Sequence, residues 1–272
     1  MKLIVTGGAS GVGRALLSML SAHEVWVLDR NRPEDLGSGH HYVPLDLADE
    51  RAIEAALQAL PGQIDGLANV AGIAQARQPE QVLAVNFFGM RRLSEALEPK
   101  LRGGAIVNVS SIAGRDWQAK LARLEPLLSS TSFEQDLRWC AEHREQFARD
   151  PYTLSKRLVT AYTLRSAQRA LKAGFRINCI SPGPIETPLY PTFESIMGKA
   201  QSDWTAAQTG RIATPEDIAE VLALLLTGPC SWLNGVDVPV DGGYCAGLDA
   251  GWIDFSASPV MRALAARKNK GG

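Results

Sequence analysis

The chain contains few of the residues that build disulfide-linked or metal-binding domains. Its 272 residues include four cysteines, with no C-x-x-C spacing, and four scattered histidines. Because a disulfide framework needs a denser set of cysteines, we expect reduced thiols. The one adjacent pair, His40 and His41, has no carboxylate at ligand spacing beside it, so no metal site is predicted.

Long hydrophobic runs and an excess of charge of one sign are also missing. The net charge is −1, from 28 basic and 29 acidic residues, so bulk electrostatics indicate no nucleic-acid or membrane partner. The longest apolar segment, Ile218 to Leu226, is interrupted by Glu220 and is too short to cross a bilayer. No charged segment precedes a long apolar stretch near Met1, so we expect no signal peptide and a cytoplasmic protein.

The chain does contain a regular alternation of short apolar runs, rich in β-branched residues, with longer helical patterns. Such alternation is typical of a parallel sheet, and near-continuous apolar runs fit strands that are buried on both faces. No composition break divides the chain, so we predict one α/β domain over residues 1–272, a doubly wound parallel sheet of about seven strands with helices on both faces. The predicted strands are Leu3–Thr6, Glu24–Leu28, His41–Pro44, Ile64–Val70, Ala105–Val109, Arg176–Ile180 and Val236–Val240, and the predicted helices are Val12–Ala22, Asp49–Leu60, Pro79–Leu97, Pro151–Lys172 and Pro215–Thr227.

A glycine-rich turn follows the first predicted strand. Glycine tolerates positive φ and has no Cβ to keep the backbone away from a phosphate. The N-terminus of the following helix offers unpaired N–H groups and a partial positive charge. The turn therefore predicts a Rossmann-type site for the pyrophosphate of a dinucleotide, although a tight strand–helix connection without a ligand would use similar residues. The residues of this predicted site are Gly7, Ser10, Gly11, Val12 and Gly13.

Asp29 ends the second predicted strand, 16 residues after Gly13 (29 − 13), near the offset expected for an acid that binds the adenosine ribose. A carboxylate there accepts from the 2′-hydroxyl and repels a 2′-phosphate, which favours NAD over NADP. Arg30, expected beside the cofactor, and Arg32 weaken that preference, because an arginine can pair with a phosphate. The alternative interpretation of Asp29 is a cap at the end of a strand.

Tyr152 and Lys156 lie four residues apart and would share one face of a helix. This spacing alone occurs by chance in many proteins, but here it accompanies a glycine turn of the form G-x-x-x-G-x-G. Together the two motifs resemble the short-chain dehydrogenase/reductase family, and the resemblance covers nearly the whole chain. It implies hydride transfer between a nicotinamide cofactor and an alcohol or ketone.

The resemblance implies a catalytic set made of Asn86, Ser111, Tyr152 and Lys156. Tyr152 would be the general acid and base, Ser111 would hold the substrate oxygen, and Lys156 would donate to the nicotinamide ribose. A free tyrosine has a pKa of about 10. We expect the Lys156 ammonium and the oxidised nicotinamide to favour the tyrosinate. Asn86 would anchor a proton-relay water near the lysine.

The resemblance also implies cofactor contacts after the third, fourth and sixth strands. Val70 stands where the family more often has a second asparagine, and Asn69 has a structural alternative as a brace between strands. The apolar stretch from Pro188 to about Gly210 would form a mobile lid, which suggests a cyclic, aromatic or steroid-like substrate. The implied contacts are Asp46, Leu47, Asn69, Ala71, Gly72, Pro182, Gly183, Ile185 and Thr187, in addition to Tyr152 and Lys156.

An insert separates Ser111 from Tyr152, which lie 41 residues apart (152 − 111), more than is usual in the family. The segment 115–150 resembles that of a bacterial subgroup that includes 3-alpha-hydroxysteroid dehydrogenase/carbonyl reductase. Within it, apolar residues from Phe133 to Phe147 at steps of 3 and 4 predict an amphipathic helix, with a charge-rich surface helix as the alternative. We expect the insert to alter oligomer assembly. A C-terminal extension is predicted over 248–272.

The motifs together predict an NAD-dependent oxidoreductase that interconverts a secondary alcohol and a ketone. The partner would be a small-molecule alcohol or ketone, and a homo-oligomer, a dimer or a tetramer, is expected. Two alternatives remain: an NADPH-dependent carbonyl reductase, and a dinucleotide-sensing protein that has lost its chemistry. The full set of four catalytic residues argues against the second alternative.

Overall fold

The computed structural model describes residues 1–270, and Gly271 and Gly272, where the C-terminal extension was predicted to end, lie outside the described residues. Seven parallel strands form one sheet in the order β3-β2-β1-β4-β5-β6-β7, which confirms the predicted doubly wound fold. The strands are β1 (Lys2–Thr6), β2 (Glu24–Asp29), β3 (His40–Pro44), β4 (Ile64–Asn69), β5 (Leu101–Val109), β6 (Arg176–Pro182) and β7 (Asp237–Val240).

Alternate residues of each strand face two separate cores, as the period of a strand requires. In β1, Leu3 and Val5 pack on one face of the sheet with the helices Gly11–Met19 and Pro215–Thr227, whereas Ile4 packs on the other face. That second face carries the helices Glu50–Gln58, Met90–Leu97 and Pro151–Ala173 and those of segment 115–150. The helices are α1 (Gly11–Met19), α2 (Glu50–Gln58), α3 (Pro79–Leu83), α4 (Met90–Leu97), α5 (Leu121–Leu128), α6 (Phe133–Glu142), α7 (Arg144–Phe147), α8 (Pro151–Ala173), α9 (Tyr190–Met197), α10 (Lys199–Thr209), α11 (Pro215–Thr227), α12 (Tyr244–Ala250) and α13 (Pro259–Lys270).

The predicted helix Pro79–Leu97 is not continuous. A π-helical turn, Ala84–Gly89, separates α3 from α4. Within this turn the Asn86 side chain bonds both the N–H and the carbonyl of Ile73, at 2.8 and 2.9 Å. The local apolar pattern could not predict this interruption, because it accompanies bonds to a residue in another segment. π turns of this kind are frequent at functional sites.

Segment 115–150 folds as three short α-helices that pack on the main core rather than as one surface helix. Phe133, Cys140 and Phe147 are buried in that core as the amphipathic pattern predicts, but Leu137 is exposed, and the helix stops at His143, whose backbone leaves the helical region. An ion pair anchors the segment: Arg92 lies 3.1 Å from the fully buried carboxylate of Asp136. Burial raises the pKa of Asp136, and the two nearby arginines oppose that rise.

Besides α11, four helices follow β6 and β7: α9, α10, α12 and α13. The predicted lid stretch folds as α9 and α10, joined at Gly198, and the predicted C-terminal extension, 248–272, contains the end of α12 and the whole of α13. Trp204 of α10 packs edge-on against Tyr244, at the start of α12, and against Phe255 of the extension. Within residues 1–270, no helix combines the length and apolarity that crossing a membrane requires.

The first strand and the first helix meet at a turn that has no room for side chains. Gly7 and Gly11 have φ of +76° and +52°, conformations that favour glycine. Gly13 lies so close to this turn that a Cβ on it would overlap the carbonyl oxygen of Gly7. The N-terminus of α1 is therefore held against the end of β1 by a contact between backbones.

Replacing Gly13 with alanine should destabilise the protein, although alanine is ordinarily the better helix former. Because the added Cβ must displace the Gly7 carbonyl, we expect the free energy of unfolding to fall by about 1–3 kcal/mol. Chemical denaturation of G13A measures this loss. The matched control is G62A, since an added Cβ at the exposed Gly62 meets no atom within 4 Å; an equal effect of both variants would contradict the contact.

Candidate active site

A long cleft runs along the carboxyl ends of the strands, with a volume of about 950 Å³. Ligands of open α/β sheets bind at this edge, because the connections after neighbouring strands diverge there. One end of the cleft is formed by the glycine turn and Asp29, and the other by Ser111, Tyr152 and Lys156. The other predicted site residues that line it are Ser10, Val12, Arg30, Asp46, Leu47, Ala71, Gly72, Pro182, Gly183, Ile185 and Thr187.

Asp29 is held in place at the end of β2 by two backbone donors. The N–H of Ala9, in the glycine turn, donates to one carboxylate oxygen at 3.0 Å, and the N–H of Asn31 donates to the other at 3.0 Å. The carboxylate therefore lies beside the phosphate-binding turn. Arg32 lies over the ring of Tyr42, 6.0 Å from its centroid, whereas Arg30 lines the cleft.

Asn69 lies at the carboxyl end of β4, but its side chain points into the core. It is 4% exposed, and its amide donates to Ser94 at 2.9 Å and to the side-chain oxygen of Asn108 at 2.8 Å. The Asn108 amide in turn donates to Thr163 of α8 at 2.9 Å. The Asn69 side chain thus serves as the brace that the sequence left as its alternative role, whereas Ala71 and Gly72 reach the cleft through their backbone.

Helix α8 brings Tyr152 and Lys156 to the end of β5, where Ser111 follows the strand. The Asp150 carboxylate accepts from the N–H of Thr153 at 3.0 Å and caps this helix, and Pro151 occupies its first turn. The Lys156 ammonium donates to the Val109 carbonyl at 2.9 Å and lies 5.5 Å from the centroid of the Tyr152 ring. Tyrosine, lysine and serine therefore converge on one end of the cleft.

Burial shifts the pKa of the two titratable groups in opposite directions. It raises the pKa of Tyr152 to about 12, an effect that the Ser111 hydroxyl partly offsets and the Asp150 charge reinforces. It lowers the pKa of Lys156 to about 8. In the protein alone, removal from water favours the neutral form of Tyr152. The expectation that Lys156 and the oxidised nicotinamide together favour the tyrosinate concerns the cofactor-bound protein and stays a prediction.

Asn86 lies beside the lysine but is already bonded to protein atoms. Besides Ile73, its amide contacts the Ser155 hydroxyl at 3.0 Å. A Cβ on Gly72 would lie 3.3 Å from the Asn86 side-chain oxygen and 3.7 Å from the Lys156 ammonium, so the three residues are neighbours. The structure thus shows Asn86 bracing the loop after β4, while the role of a water anchor stays a prediction.

The segment after β6 closes the cleft from the opposite side. Ile185 pairs with Ala213 in a parallel bridge, and the Thr187 side chain lies where a Cβ on Gly11 would come within 3.3 Å of it. Beyond it, Phe193 of α9 packs edge-on against Tyr152, with ring centroids 4.9 Å apart. In the part of the chain that the structure describes, no three His, Cys, Asp or Glu side chains come together as a metal site would need.

Three further residues, to which the sequence analysis assigned no role, support or line the cleft. Ser110 bonds the Thr160 hydroxyl at 2.6 Å and the Lys156 carbonyl at 3.0 Å, which fixes α8 on the end of β5. Arg77 and Arg149 line the cleft from two loops that carry no motif. Only the position of Arg149, three residues before Tyr152, could have drawn attention to it.

Comparison with known proteins places these features in a family. The model of the short chain dehydrogenase family matches residues 2–122, and that of enoyl-(acyl carrier protein) reductase matches residues 139–245. The unmatched stretch between them, 123–138, lies inside segment 115–150.

Two relatives and one solved structure match nearly the whole chain. The coniferyl-alcohol dehydrogenase of Pseudomonas sp. (strain HR199) is 33% identical over 251 residues, covering 90% of this chain and 96% of its own. The 3-alpha-hydroxysteroid dehydrogenase/carbonyl reductase of Comamonas testosteroni is 28% identical over 268 residues, again covering 90% and 96%. The 3-alpha-hydroxysteroid dehydrogenase from Pseudomonas sp. B-0831, complexed with NADH, superposes with a TM-score of 0.80 at 29% identity, covering 92% of this chain and 99% of that one.

These matches extend over the glycine turn, the sheet and the tyrosine-bearing helix, and they agree with the chemistry that the cleft brings together. The chain belongs to the short-chain dehydrogenase/reductase family of oxidoreductases.

Proposed function

We propose that the protein is an NAD-dependent dehydrogenase that interconverts a secondary alcohol and a ketone. The observation that carries this proposal is the placement of Ser111, Tyr152 and Lys156 at one end of a cleft whose other end is the glycine turn with Asp29. A dinucleotide is long enough to join two such ends. The fold supports the binding of a dinucleotide, and the position of Tyr152 supports a role for it in proton transfer.

The cradle around the glycine turn fits a dinucleotide. Gly7 has no room for a side chain, because a Cβ there would lie 2.7 Å from the backbone of Ala71. The turn can therefore offer a phosphate its backbone N–H groups without a side chain at Gly7. Asp29 would hold the adenosine ribose, while Lys156 and Thr187 would hold the nicotinamide half. When bound, NAD supplies the hydride acceptor and, in its oxidised form, a positive charge.

Tyr152 would carry the proton between the substrate oxygen and solvent. With a pKa of about 12 it is neutral at physiological pH, so it can donate directly to the oxygen of a ketone. Oxidation of an alcohol needs the reverse step and hence the tyrosinate, whose population rises with pH. Ser111 would orient the substrate oxygen, and Lys156 would act through hydrogen bonds from its ammonium.

The walls near Tyr152 favour a substrate with a cyclic or aromatic body. Phe193, Ile196 and Met197 line that end of the cleft. The named activities of two relatives, on a hydroxysteroid and on coniferyl alcohol, fit such walls. Because coniferyl alcohol carries a primary hydroxyl, oxidation of an aromatic primary alcohol is a second candidate function.

The cofactor preference and the direction of the reaction have alternatives of their own. The Asp29 carboxylate disfavours a 2′-phosphate, which argues against an NADPH-dependent carbonyl reductase, and the similar NADH-complexed structure supports the same choice. A non-catalytic sensor would have no use for the buried Lys156 beside Tyr152, since burying an amine is costly.

Replacing Tyr152 with phenylalanine should abolish most of the turnover while leaving NADH binding intact. Loss of a positioned acid and base lowers kcat by about 10²–10⁴-fold. Cofactor reduction is measured with a panel of cyclic, steroid and aromatic alcohols. The control is Tyr162→Phe, which removes a hydroxyl from the same helix away from the cleft. NADH binding without turnover of any alcohol would instead favour the sensor.

The pH profile gives the same proposal a second readout. Because the neutral form of Tyr152 dominates below its raised pKa and Lys156 keeps its charge below a pKa of about 8, kcat/KM for alcohol oxidation should rise with pH between about 6 and 7.5. Ketone reduction should not rise over that range. A flat oxidation profile in the active protein would mean that another group carries the proton.

Replacing Asp29 with asparagine should shift the cofactor preference toward NADP. The variant keeps an oxygen acceptor for Ala9 but removes the charge that repels a phosphate. We expect the ratio of kcat/KM for NAD to that for NADP to fall by roughly tenfold or more. The control is Asp35→Asn, an exposed carboxylate in the same region that pairs with Arg14. An unchanged ratio in the Asp29 variant would assign the preference to another residue.

We also propose that segment 115–150 prevents a second copy from packing on helix α8. Helix α5 packs beside α8, and Glu125 pairs with Arg165 of α8 at 2.6 Å. A bulky change on the exposed face of that helix, Gln168→Trp, should therefore leave the oligomeric mass unchanged by light scattering. A change in mass would show that α8 lies in a subunit interface.

A further inference from the structure

We propose that Arg77 and Arg149 bind a carboxylate on the substrate, at the end remote from the reacting carbon. This inference rests on the proposed dehydrogenase function and names its substrate class: a cyclic or aromatic alcohol, or its ketone, that carries an acid group. The two arginines are called the arginine rim below.

The two loops of the rim are held together at the Tyr152 end of the cleft. Arg144, at the start of α7, donates to the Glu80 carboxylate at 3.0 Å and to the Gln78 side chain at 2.8 Å. This clamp joins the loop that carries Arg77 to the segment that carries Arg149. Arg149 precedes Tyr152 by three residues and lines the same cleft, so we place the rim at the Tyr152 end rather than at the adenosine end.

The charges of the rim are uncompensated among the side chains that the structure describes. Neither Arg77 nor Arg149 has a carboxylate within ion-pair distance in residues 1–270, whereas Arg144, Arg157 and Arg165 all do. The one acid beside them in the cleft lining is Asp150, which already accepts from the N–H of Thr153 as the cap of α8. The Tyr152 end of the cleft therefore carries two guanidinium groups and one carboxylate, Asp150, which already accepts a backbone hydrogen bond.

The chemistry of the surroundings selects a ligand with an apolar body and an anionic end. Phe193, Ile196 and Met197 line the cleft, so they would contact a hydrocarbon ring. A guanidinium presents paired N–H donors in the plane that a carboxylate accepts, and such charge-assisted bonds are stronger than neutral ones. The hydroxyl of such a ligand would lie at Tyr152 and its carboxylate at the rim.

Turnover of two matched substrates tests the arginine rim. The probes are 4-hydroxycyclohexanecarboxylate and its uncharged carboxamide, with NAD as the cofactor. We expect the unmodified protein to prefer the acid, and Arg149→Gln or Arg77→Gln to lower kcat/KM for the acid by roughly tenfold each, with little change for the amide. The preference should weaken at high salt, because the rim is exposed. The matched control is Arg138→Gln, a similar change on the exposed face of α6.

A binding measurement separates failure of the rim from failure of the proposed function. Cyclohexanecarboxylate, which has no hydroxyl to oxidise, is titrated calorimetrically into the protein with NADH and into the same variants. Binding that weakens in Arg149→Gln but not in Arg138→Gln supports the rim even if no alcohol is turned over. Equal turnover of acid and amide, unaffected by either rim variant, would overturn the rim and leave the dehydrogenase proposal standing.

Discussion

The active end of the cleft depends on the hydrogen bonds that fix helix α8 to the ends of β4 and β5. A buried relay runs from Asn69 through Asn108 to Thr163, and Ser110 bonds both a hydroxyl and a carbonyl of the helix. Because these side chains are buried, water cannot replace a lost partner, and a shift of the helix would leave several of them without hydrogen bonds. The relay therefore sets the depth at which Tyr152 and Lys156 enter the cleft.

The same burial that positions these groups also sets their protonation. Removal from water raises the pKa of Tyr152 to about 12, so it is neutral at pH 7, and lowers the pKa of Lys156 to about 8, which leaves the lysine mostly charged at pH 7. The lysine keeps a partner in the Val109 carbonyl, at 2.9 Å. A phenol that stays protonated at neutral pH is suited to donating to a ketone, and the opposite reaction needs a further positive charge or a higher pH.

The elements that cover the substrate end differ in how firmly they are attached. Helix α10 packs through Trp204 on the C-terminal extension, and its Gln201 side chain accepts from the N–H of Val260 at 3.2 Å. Helix α9 has no fully buried residue, and it is joined to α10 at Gly198, which has a φ of +85° and open space around it. This contrast suits a lid in which α10 is fixed to the C-terminal extension, while α9, which contacts Tyr152 through Phe193, is free to move.

The sequence by itself determined the seven-stranded parallel sheet, the glycine turn and the pairing of Tyr152 with Lys156. These are local signals: apolar runs, glycine spacing and the four-residue repeat of a helix face. The tertiary structure alone decided the π turn at Asn86, the core-facing side chain of Asn69 and the direction of the Tyr152 pKa. It also decided that Arg77 and Arg149 line the same cleft. Each of these depends on residues far apart in sequence, through burial or through bonds between separate elements, and no local pattern records such contacts.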